Sequence, residues 1–347
     1  MIHNNNLLIF ITAFILLLIF LNFFCKKIKL VDTGLGIQKS LNQKDVPLSG
    51  GLYFILSLFY LSLNFYTNID IFFIFFYFLI FLIGILSDVN IFKKPSIKLV
   101  YQIIIIFFLL LFFDIYLVQK TSVFFIDFLI NYKIFKYIFS VFCIVICING
   151  SNFIDGTNSN SALNSLIINI VLFNLCLVSA SDFQTSLYFK SLIILHIIYI
   201  TFNFGNKCFL GDSGSFLLGL VNSTAVIYFT QYYKLPPVFA VCILFYTWFE
   251  ILFSFIRKFF FKKSPLQPDN FHLHLIIKKK LDLLISNNTL SSNITSIFIN
   301  FILSINLYFV FVFRYQNFVL YLFIILQSFI YLTIYSCFIN YNDYKRK

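Results

Sequence analysis

Long apolar stretches, repeated from one end of the chain to the other, constrain the fold more than any other feature of this sequence. Eleven can be located, at roughly residues 6–25, 48–66, 70–87, 99–118, 134–148, 161–181, 187–204, 214–230, 237–256, 294–313 and 315–339. Crossing a hydrocarbon core takes about 20 helical residues, and lipid admits only helices or closed barrels. Because each stretch is continuously apolar instead of alternating, the sequence predicts an all-α polytopic membrane protein. We expect about eleven transmembrane helices in a single domain over residues 1–347.

The positive charge of the chain is distributed unevenly. A formal net charge of +12 would fit nucleic-acid binding, but 61% of the residues are hydrophobic and only 11% are charged. If the N-terminus faces outside, most lysines and arginines fall in the inside segments, as the positive-inside rule requires. The sequence therefore predicts a multi-pass protein of the inner (cytoplasmic) membrane, with the N-terminus outside and the C-terminus inside. Its partners would include membrane lipids and no nucleic acid.

The polar residues that could do chemistry also fall on one predicted side. They lie in five inside segments, at 31–51, 87–98, 149–160, 204–215 and 257–280. Asp88, Asp155 and Asp212 each lie near a predicted helix end in these segments, where converging carboxylates would suit a hard cation such as Mg²⁺. Carboxylates, a metal ion and lysines together are the components of phosphoryl transfer. A transporter would more often place its polar residues near the middle of the membrane.

Several motifs, taken in order, resemble a known family. "PLSGG", "GILSD", "KLVYQ", "NGSNFIDG", "FLGDSGSFLLG" and "SPLQPDNFHLHL" occur between about residues 44 and 280, ahead of a C-terminal helix pair at 294–339. They are similar to motifs of the polyprenyl-phosphate N-acetylhexosamine-1-phosphate transferases (glycosyltransferase family four). The resemblance is to the undecaprenyl-phosphate GlcNAc-1-phosphate branch, because Leu273 interrupts the consecutive histidines of the sibling phospho-N-acetylmuramoyl-pentapeptide transferases.

This resemblance implies an activity and its partners. The enzyme would transfer a sugar-1-phosphate from a UDP-sugar to polyprenyl (undecaprenyl) phosphate and release UMP. The product lipid would start a cell-envelope polysaccharide such as O-antigen lipopolysaccharide. Mg²⁺ would be the cofactor, with Mn²⁺ as the alternative ion, the active site would face the cytoplasm, and a homodimer is left open.

On the same resemblance the catalytic candidates are Asp88, Asp212, His272 and His274. Asp212 of "GDSG" is the expected Mg²⁺ ligand, and Asp88 would act at the lipid phosphate as a base or an orienting group. The two histidines would line the sugar-diphosphate pocket. Being two residues apart, they would point away from each other on a helix, so we expect both to lie in a loop after Pro268.

The candidate substrate-binding residues are Lys44, Lys98, Asn152, Asp155 and Asn203. The two lysines would contact phosphate oxygens, and Asp155 would position the nucleotide or the metal ion. Asn152 of "NFIDG" is a second, weaker candidate for a metal ligand. Asn203 would help to hold the nucleotide.

The sequence also departs from the family pattern. Ser87 precedes Asp88 where the family has two adjacent aspartates, and "DGTNSN" lacks a second acid after the "DG". A hydroxyl cannot carry the missing charge. A catalytically altered or inactive member therefore stays open as an alternative, as does a non-enzymatic polytopic transporter.

Simpler structural roles stand beside these assignments. Asp212 could be only a helix N-cap, Asp155 only a turn residue, and the two histidines only exposed loop residues. His196, alone in the middle of a span, is expected to be a hydrogen-bonded interhelical residue. Glu250 lies about 10 Å from the inside end of its span, at 1.5 Å per residue. A charge there is costly, so it either has a function or is paired with a basic residue.

Overall fold

The computed structural model describes residues 4–32, 45–65, 71–178, 183–262, 264 and 269–339. Fourteen α-helices make up most of this part of the chain: α1 (Asn4–Lys27), α2 (Gly50–Asn64), α3 (Ile71–Asp88), α4 (Pro95–Phe112), α5 (Phe124–Ile130), α6 (Lys133–Phe153), α7 (Asn160–Val178), α8 (Phe183–Phe204), α9 (Gly211–Tyr232), α10 (Pro237–Ile243), α11 (Phe245–Phe260), α12 (Leu273–Asp282), α13 (Asn288–Val312) and α14 (Asn317–Phe338). A 3-10 turn, Asp114–Tyr116, follows α4. Two short strands, β1 (Val31–Asp32) and β2 (Val46–Pro47), pair antiparallel between α1 and α2.

The membrane character predicted from the apolar stretches is confirmed in the described part of the chain. Eight of its helices are long and apolar enough to cross a bilayer, and α10 with α11 forms a ninth, bent candidate. Two further apolar helices, α2 and α3, are shorter. Each predicted stretch corresponds to one of these helices or to the bent pair. The number of crossings and the direction of the two termini remain predictions.

Helix α9 lies at the centre of the bundle, because glycines allow its neighbours to approach its backbone closely. It packs against α2, α3, α6 and α7, and most of its residues are buried. An ideal Cβ on Gly84 of α3 would lie 2.1 Å from the Cα of Ser213, and one on Gly219 of α9 would lie 2.6 Å from the Cα of Ile148 in α6. Only glycine fits such contacts. The backbone at the start of α9 is therefore held directly against α3.

The ninth predicted span, 237–256, is not a single helix. It is broken at Leu244, and α10 and α11 meet at an angle of 75°. The carbonyl groups freed by the break are bonded locally: Trp248 Nε1 donates to Val241 O (2.9 Å) and Thr247 Oγ1 donates to Leu244 O (2.7 Å). Broken helices are tolerated at membrane depth when such groups are satisfied. The sequence has no proline at this position that could have indicated the break.

Candidate active site

Four of the five polar segments contact one another at one end of the bundle, and the fifth packs onto the end of α6. Phe209 N donates to Pro47 O (2.9 Å) and Gly50 N donates to Phe209 O (3.0 Å), which joins segment 204–215 to the start of α2. Asn158 Nδ2 donates to Asn206 Oδ1 (2.6 Å), which adds segment 149–160. This end of the bundle therefore holds the predicted site residues.

Asp212 lies in the first turn of α9 and receives hydrogen bonds from three other helices or their ends. Lys98 Nζ of α4 donates to its Oδ2 at 2.8 Å, and the hydroxyl of Ser87 at the end of α3 donates to the same oxygen. Asn152 Nδ2 of α6 donates to Oδ1 at 2.7 Å. Asp212 does not cap its own helix, so the simple N-cap role is wrong. Its carboxylate links α3, α4 and α6 to α9.

Asp88 holds the backbone at the start of α9. Its Oδ1 accepts a hydrogen bond from Asp212 N (2.8 Å) and its Oδ2 accepts one from Ser213 N (3.2 Å). A carboxylate is favoured there by the free N–H groups and the positive end of the helix dipole. Gly211 has φ +71°, and a Cβ on it would lie 2.7 Å from Asp88 Oδ2. The glycine therefore leaves room for the Asp88 carboxylate, which in turn fixes Asp212.

Asp155 completes a group of three acidic residues in the loop between α6 and α7. Burial, together with the negative charges of Asp212 and Asp88, raises the pKa of its carboxyl group well above the usual range. Lys98 supplies the positive charge that is ion-paired with this group, at 2.8 Å from Asp212. Three acidic groups lie beside one ammonium, and a bound cation would relieve the repulsion that opposes their ionisation.

The chemistry of these donors fits a hard divalent cation. Mg²⁺ prefers carboxylate and amide oxygens and takes up phosphate oxygens readily. A carboxylate has about four lone-pair sites, and three donors occupy Asp212, so one position remains for a metal ion. Asn152 donates through its nitrogen, which leaves its amide oxygen as a second ligand. Among the described residues, however, no three acidic, histidine or cysteine side chains are already arranged around one ligand position. Lys98 neutralises Asp212 in this arrangement.

The polar segment 149–160 is partly helix and partly internal packing. Asn149–Phe153 form the last turns of α6, and Asn160 begins α7. Between them, Thr157 Oγ1 lies 2.8 Å from Ser296 Oγ, and Asn158 N donates to Ser292 Oγ (2.9 Å), both on α13. Only the first half of the motif, with Asn152 and Asp155, reaches the acidic group. The second half binds the loop to α13.

Asn203 lies in the same internal packing. It is 3% exposed, its Oδ1 accepts a hydrogen bond from Ser159 Oγ (2.7 Å), and its Nδ2 donates to Cys208 O (2.7 Å). These contacts hold the loop before α9. A direct role of Asn203 in holding a nucleotide stays a prediction, and Lys44 lies outside the described residues.

His272 and His274 lie at the start of a helix, not both in a loop. His272 is the N-cap of α12 and has an extended backbone, while His274 lies in the first turn. This change of backbone conformation places the two rings on the same side, with centroids 5.9 Å apart. The ring of His272 also packs on Phe153 at the end of α6, at 5.1 Å. Both histidines are buried, so the prediction that they could be merely exposed loop residues is wrong.

His274 is enclosed against the loop that carries Asp155. A Cβ on Gly156 would lie 2.1 Å from His274 Nε2, so only glycine permits this packing. Neither ring nitrogen of His274 has a hydrogen-bond partner within the described residues. Burial lowers the pKa of His274 to about 3, against the opposing charge of Glu250 and with a smaller contribution from His272. The ring is therefore neutral at physiological pH.

The two residues whose roles were left open now have partners. Glu250 is buried, and its Oε1 lies 2.9 Å from His272 Nδ1. His196 bonds Ser165 of α7 at 2.9 Å through Nε2, which confirms it as an interhelical residue. Sequence reasoning missed Tyr331 and Tyr335 of α14, which bond Glu250 and the backbone of Phe271. No motif marks either tyrosine.

Comparison with known proteins finds a family model and two relatives that match part of this chain. The model of glycosyl transferase family 4 matches residues 71–230. Two relatives are each named undecaprenyl-phosphate alpha-N-acetylglucosaminyl 1-phosphate transferase. The one from Thermotoga maritima is 32% identical over 145 residues, which are 42% of this chain and 44% of the relative. The one from Yersinia pestis is 26% identical over 153 residues, 42% of this chain and 41% of the relative. Residues 71–230 are therefore similar to glycosyl transferase family 4.

The family 4 segment contains the acidic group but not the whole site. Asp88, Lys98, Asn152, Asp155 and Asp212 all lie within it. The histidines lie beyond its end, as do α11 to α14, which enclose them. The chain spans less than half the length of each of these two curated relatives in the matched region. The resemblance seen in the motifs is confirmed for this segment.

Proposed function

We propose that this protein transfers a sugar-1-phosphate, of the N-acetylhexosamine type, from a UDP-sugar to polyprenyl phosphate, releases UMP and depends on Mg²⁺. One observation carries the proposal: Asp88, Asp155 and Asp212 meet Lys98 at one end of a membrane bundle, on a family 4 segment. The names of the two relatives support undecaprenyl phosphate as the acceptor and N-acetylglucosamine as the first sugar to test. The product would start a cell-envelope polysaccharide such as O-antigen.

The chemistry is a displacement at phosphorus. A phosphate oxygen of the lipid would attack the donor phosphorus nearest the sugar, form a new P–O bond and expel UMP with the electron pair of the broken bond. Catalysis of this kind is mostly positioning and neutralisation of charge. Mg²⁺, held by Asp212 and the Asn152 oxygen, would supply charge neutralisation at the diphosphate.

The protein's own groups would position the two substrates. Lys98, which is half-buried and paired with Asp212 at 2.8 Å, is within reach of a phosphate that approaches that carboxylate. Asp88 fixes the backbone of Asp212 and Ser213, so it would orient the metal ligand instead of acting only as a base. His272 and His274 would line the side of the pocket formed by Gly156 and Phe153.

A membrane scaffold suits this reaction because the acceptor is too hydrophobic to leave the bilayer. The lipid phosphate would enter between helices from the inner leaflet, and the soluble donor would arrive from the cytoplasm. The predicted excess of lysine and arginine on the site side supports this orientation.

The test is release of UMP by the purified protein. Polyprenyl phosphate and Mg²⁺ would be combined with each of several UDP-N-acetylhexosamines. UMP should form with at least one donor, require the acceptor lipid, and stop when EDTA is added. No UMP with any donor would refute the proposal and favour the catalytically altered member suggested by Ser87.

A further inference from the structure

The only glutamate of the chain is buried between three helical elements. Glu250 of α11 is 1% exposed, and both of its carboxylate oxygens are engaged. Oε1 lies 2.9 Å from His272 Nδ1 and 3.4 Å from Leu273 N at the start of α12. Oε2 accepts a hydrogen bond from the hydroxyl of Tyr331 in α14 at 2.8 Å. A buried carboxylate is costly unless it is paired and hydrogen-bonded in this way.

The arrangement determines which nitrogen of His272 carries a hydrogen. A carboxylate only accepts hydrogen bonds, so Nδ1 must donate. Such a second partner fixes the tautomer and the orientation of an imidazole ring. Nε2 makes no hydrogen bond within the described residues, and its nearest carboxylate oxygen, on Asp269, is 3.7 Å away. Nε2 is thus the ring atom left for a ligand.

The segment that carries His272 is held a second time by the same two helices. Arg257 of α11 donates from Nη2 to both oxygens of Asp269, at 3.0 Å each. Tyr335 of α14 donates to Phe271 O at 3.2 Å. The segment from Asp269 to His272 is therefore fixed by α11 and α14. A helix outside the family 4 segment thus contributes directly to the position of this histidine.

We infer that Glu250 and Tyr331 are positioning residues that orient His272 and present its Nε2, an acceptor in this tautomer, to a hydroxyl group on the sugar of the donor substrate. This inference rests on the proposed function for the identity of the ligand. It gives α14 a specific role, which is to supply the tyrosine that holds Glu250. An apolar side chain at position 250 could fill the same space, but it could not select the imidazole tautomer.

The experiment is a double-mutant cycle on UMP release in the full-length protein. Glu250→Gln keeps the shape of the side chain and removes its charge, and Tyr331→Phe removes a single hydroxyl. We expect Glu250→Gln to lower kcat/KM by about 10- to 100-fold, the range seen when the carboxylate partner of a metal-bound histidine is removed. Tyr331→Phe should lower it by a smaller factor. Tyr321→Phe, on the same helix, is the matched control and should be neutral.

The decisive comparison uses His272→Ala as the background. If Glu250 acts through His272, Glu250→Gln should cost less than about twofold there, because the two changes remove one shared interaction. An equal loss in both backgrounds would overturn the inference. Thermal unfolding of each variant separates a loss of positioning from a loss of folding.

A second measurement does not depend on activity. Nitrogen-15 NMR of the imidazole rings, with His272 assigned by its alanine variant, should show a protonated Nδ1 that shifts in both Glu250→Gln and Tyr331→Phe. If UMP release fails in the wild type but these shifts occur, the proposed function is wrong and the pairing stands. An unchanged His272 signal in Glu250→Gln would refute the pairing itself.

Discussion

Gly211→Ala should damage the protein at the start of α9, where the acidic group is assembled. Gly211 has φ +71°, and a left-handed conformation costs a residue with a Cβ about 1–2 kcal/mol. The new Cβ would also lie 2.7 Å from Asp88 Oδ2, so the carboxylate must move away from Asp212 N and Ser213 N. Losing one hydrogen bond to a charged group costs about 1.5–3 kcal/mol. Together we expect a loss of about 2.5–5 kcal/mol of unfolding free energy, the sum of those two ranges.

The control is Gly205→Ala, in the turn just before the same helix. A Cβ on Gly205 would meet nothing nearer than 3.5 Å, so the change should lie within about 0.5 kcal/mol. Thermal unfolding in detergent measures stability, and UMP release measures the position of Asp212. Gly211→Ala should lose both, whereas Gly205→Ala should lose neither. If both variants unfold at the same temperature and release UMP equally fast, the described packing of Asp88 on Gly211 is wrong.

Three further changes test other parts of the structure. Lys98→Gln should lower the rate of UMP release at least tenfold, because Asp212 and the diphosphate lose their positive partner. The control is Lys190→Gln, on the exposed face of α8, whose rate of UMP release should stay within twofold of wild type. Acidification should destabilise the protein, because the pKa of His274 is near 6.5 in the unfolded chain and about 3 in the folded protein. The contribution of the neutral His274 ring to stability is fully present above about pH 6.5 and is lost as the pH falls. At 1.36 kcal/mol per pKa unit, the unfolding free energy should be about 2 kcal/mol lower at pH 5. Thermal unfolding of His274→Phe should show a smaller change over this range, and an identical pH dependence would contradict the buried position of the ring. Asn300→Ala should lower the unfolding free energy by about 1–3 kcal/mol, because the buried Asn160 Oδ1 loses the hydrogen bond that Asn300 Nδ2 donates at 2.8 Å. An unchanged unfolding free energy would show that this contact does not stabilise segment 149–160.

Sequence could predict which residues meet, because the apolar stretches limit where polar groups can lie. Alternating spans place the segments of Asp88, Asp155 and Asp212 at the same end of the bundle, and the structure brings these carboxylates together with Lys98. The same reasoning gave His196 its interhelical role. The apolar stretches and the distribution of charge thus carry the information about sides and partners.

What each residue does at that end depended on tertiary contacts that no local pattern contains. Asp88 caps a helix more than a hundred residues away in the chain, and the sequence around either residue does not indicate this. The motif after Asn152 looked uniformly polar, yet Thr157 and Asn158 are bonded to α13. The break at Leu244 has no proline to mark it. Helix ends and long-range hydrogen bonds were therefore the parts that the sequence left open.

The most direct test of the account compares two aspartate variants in the same transfer assay. Asp212→Asn keeps the size of the side chain and removes the charge that binds Lys98, and we expect it to lower UMP release at least a hundredfold. Asp127→Asn, in α5, where the carboxylate accepts hydrogen bonds from Thr121 and Ser122, should transfer at the wild-type rate. Undiminished UMP release by Asp212→Asn would contradict the assignment of the acidic group as the site of phosphoryl transfer.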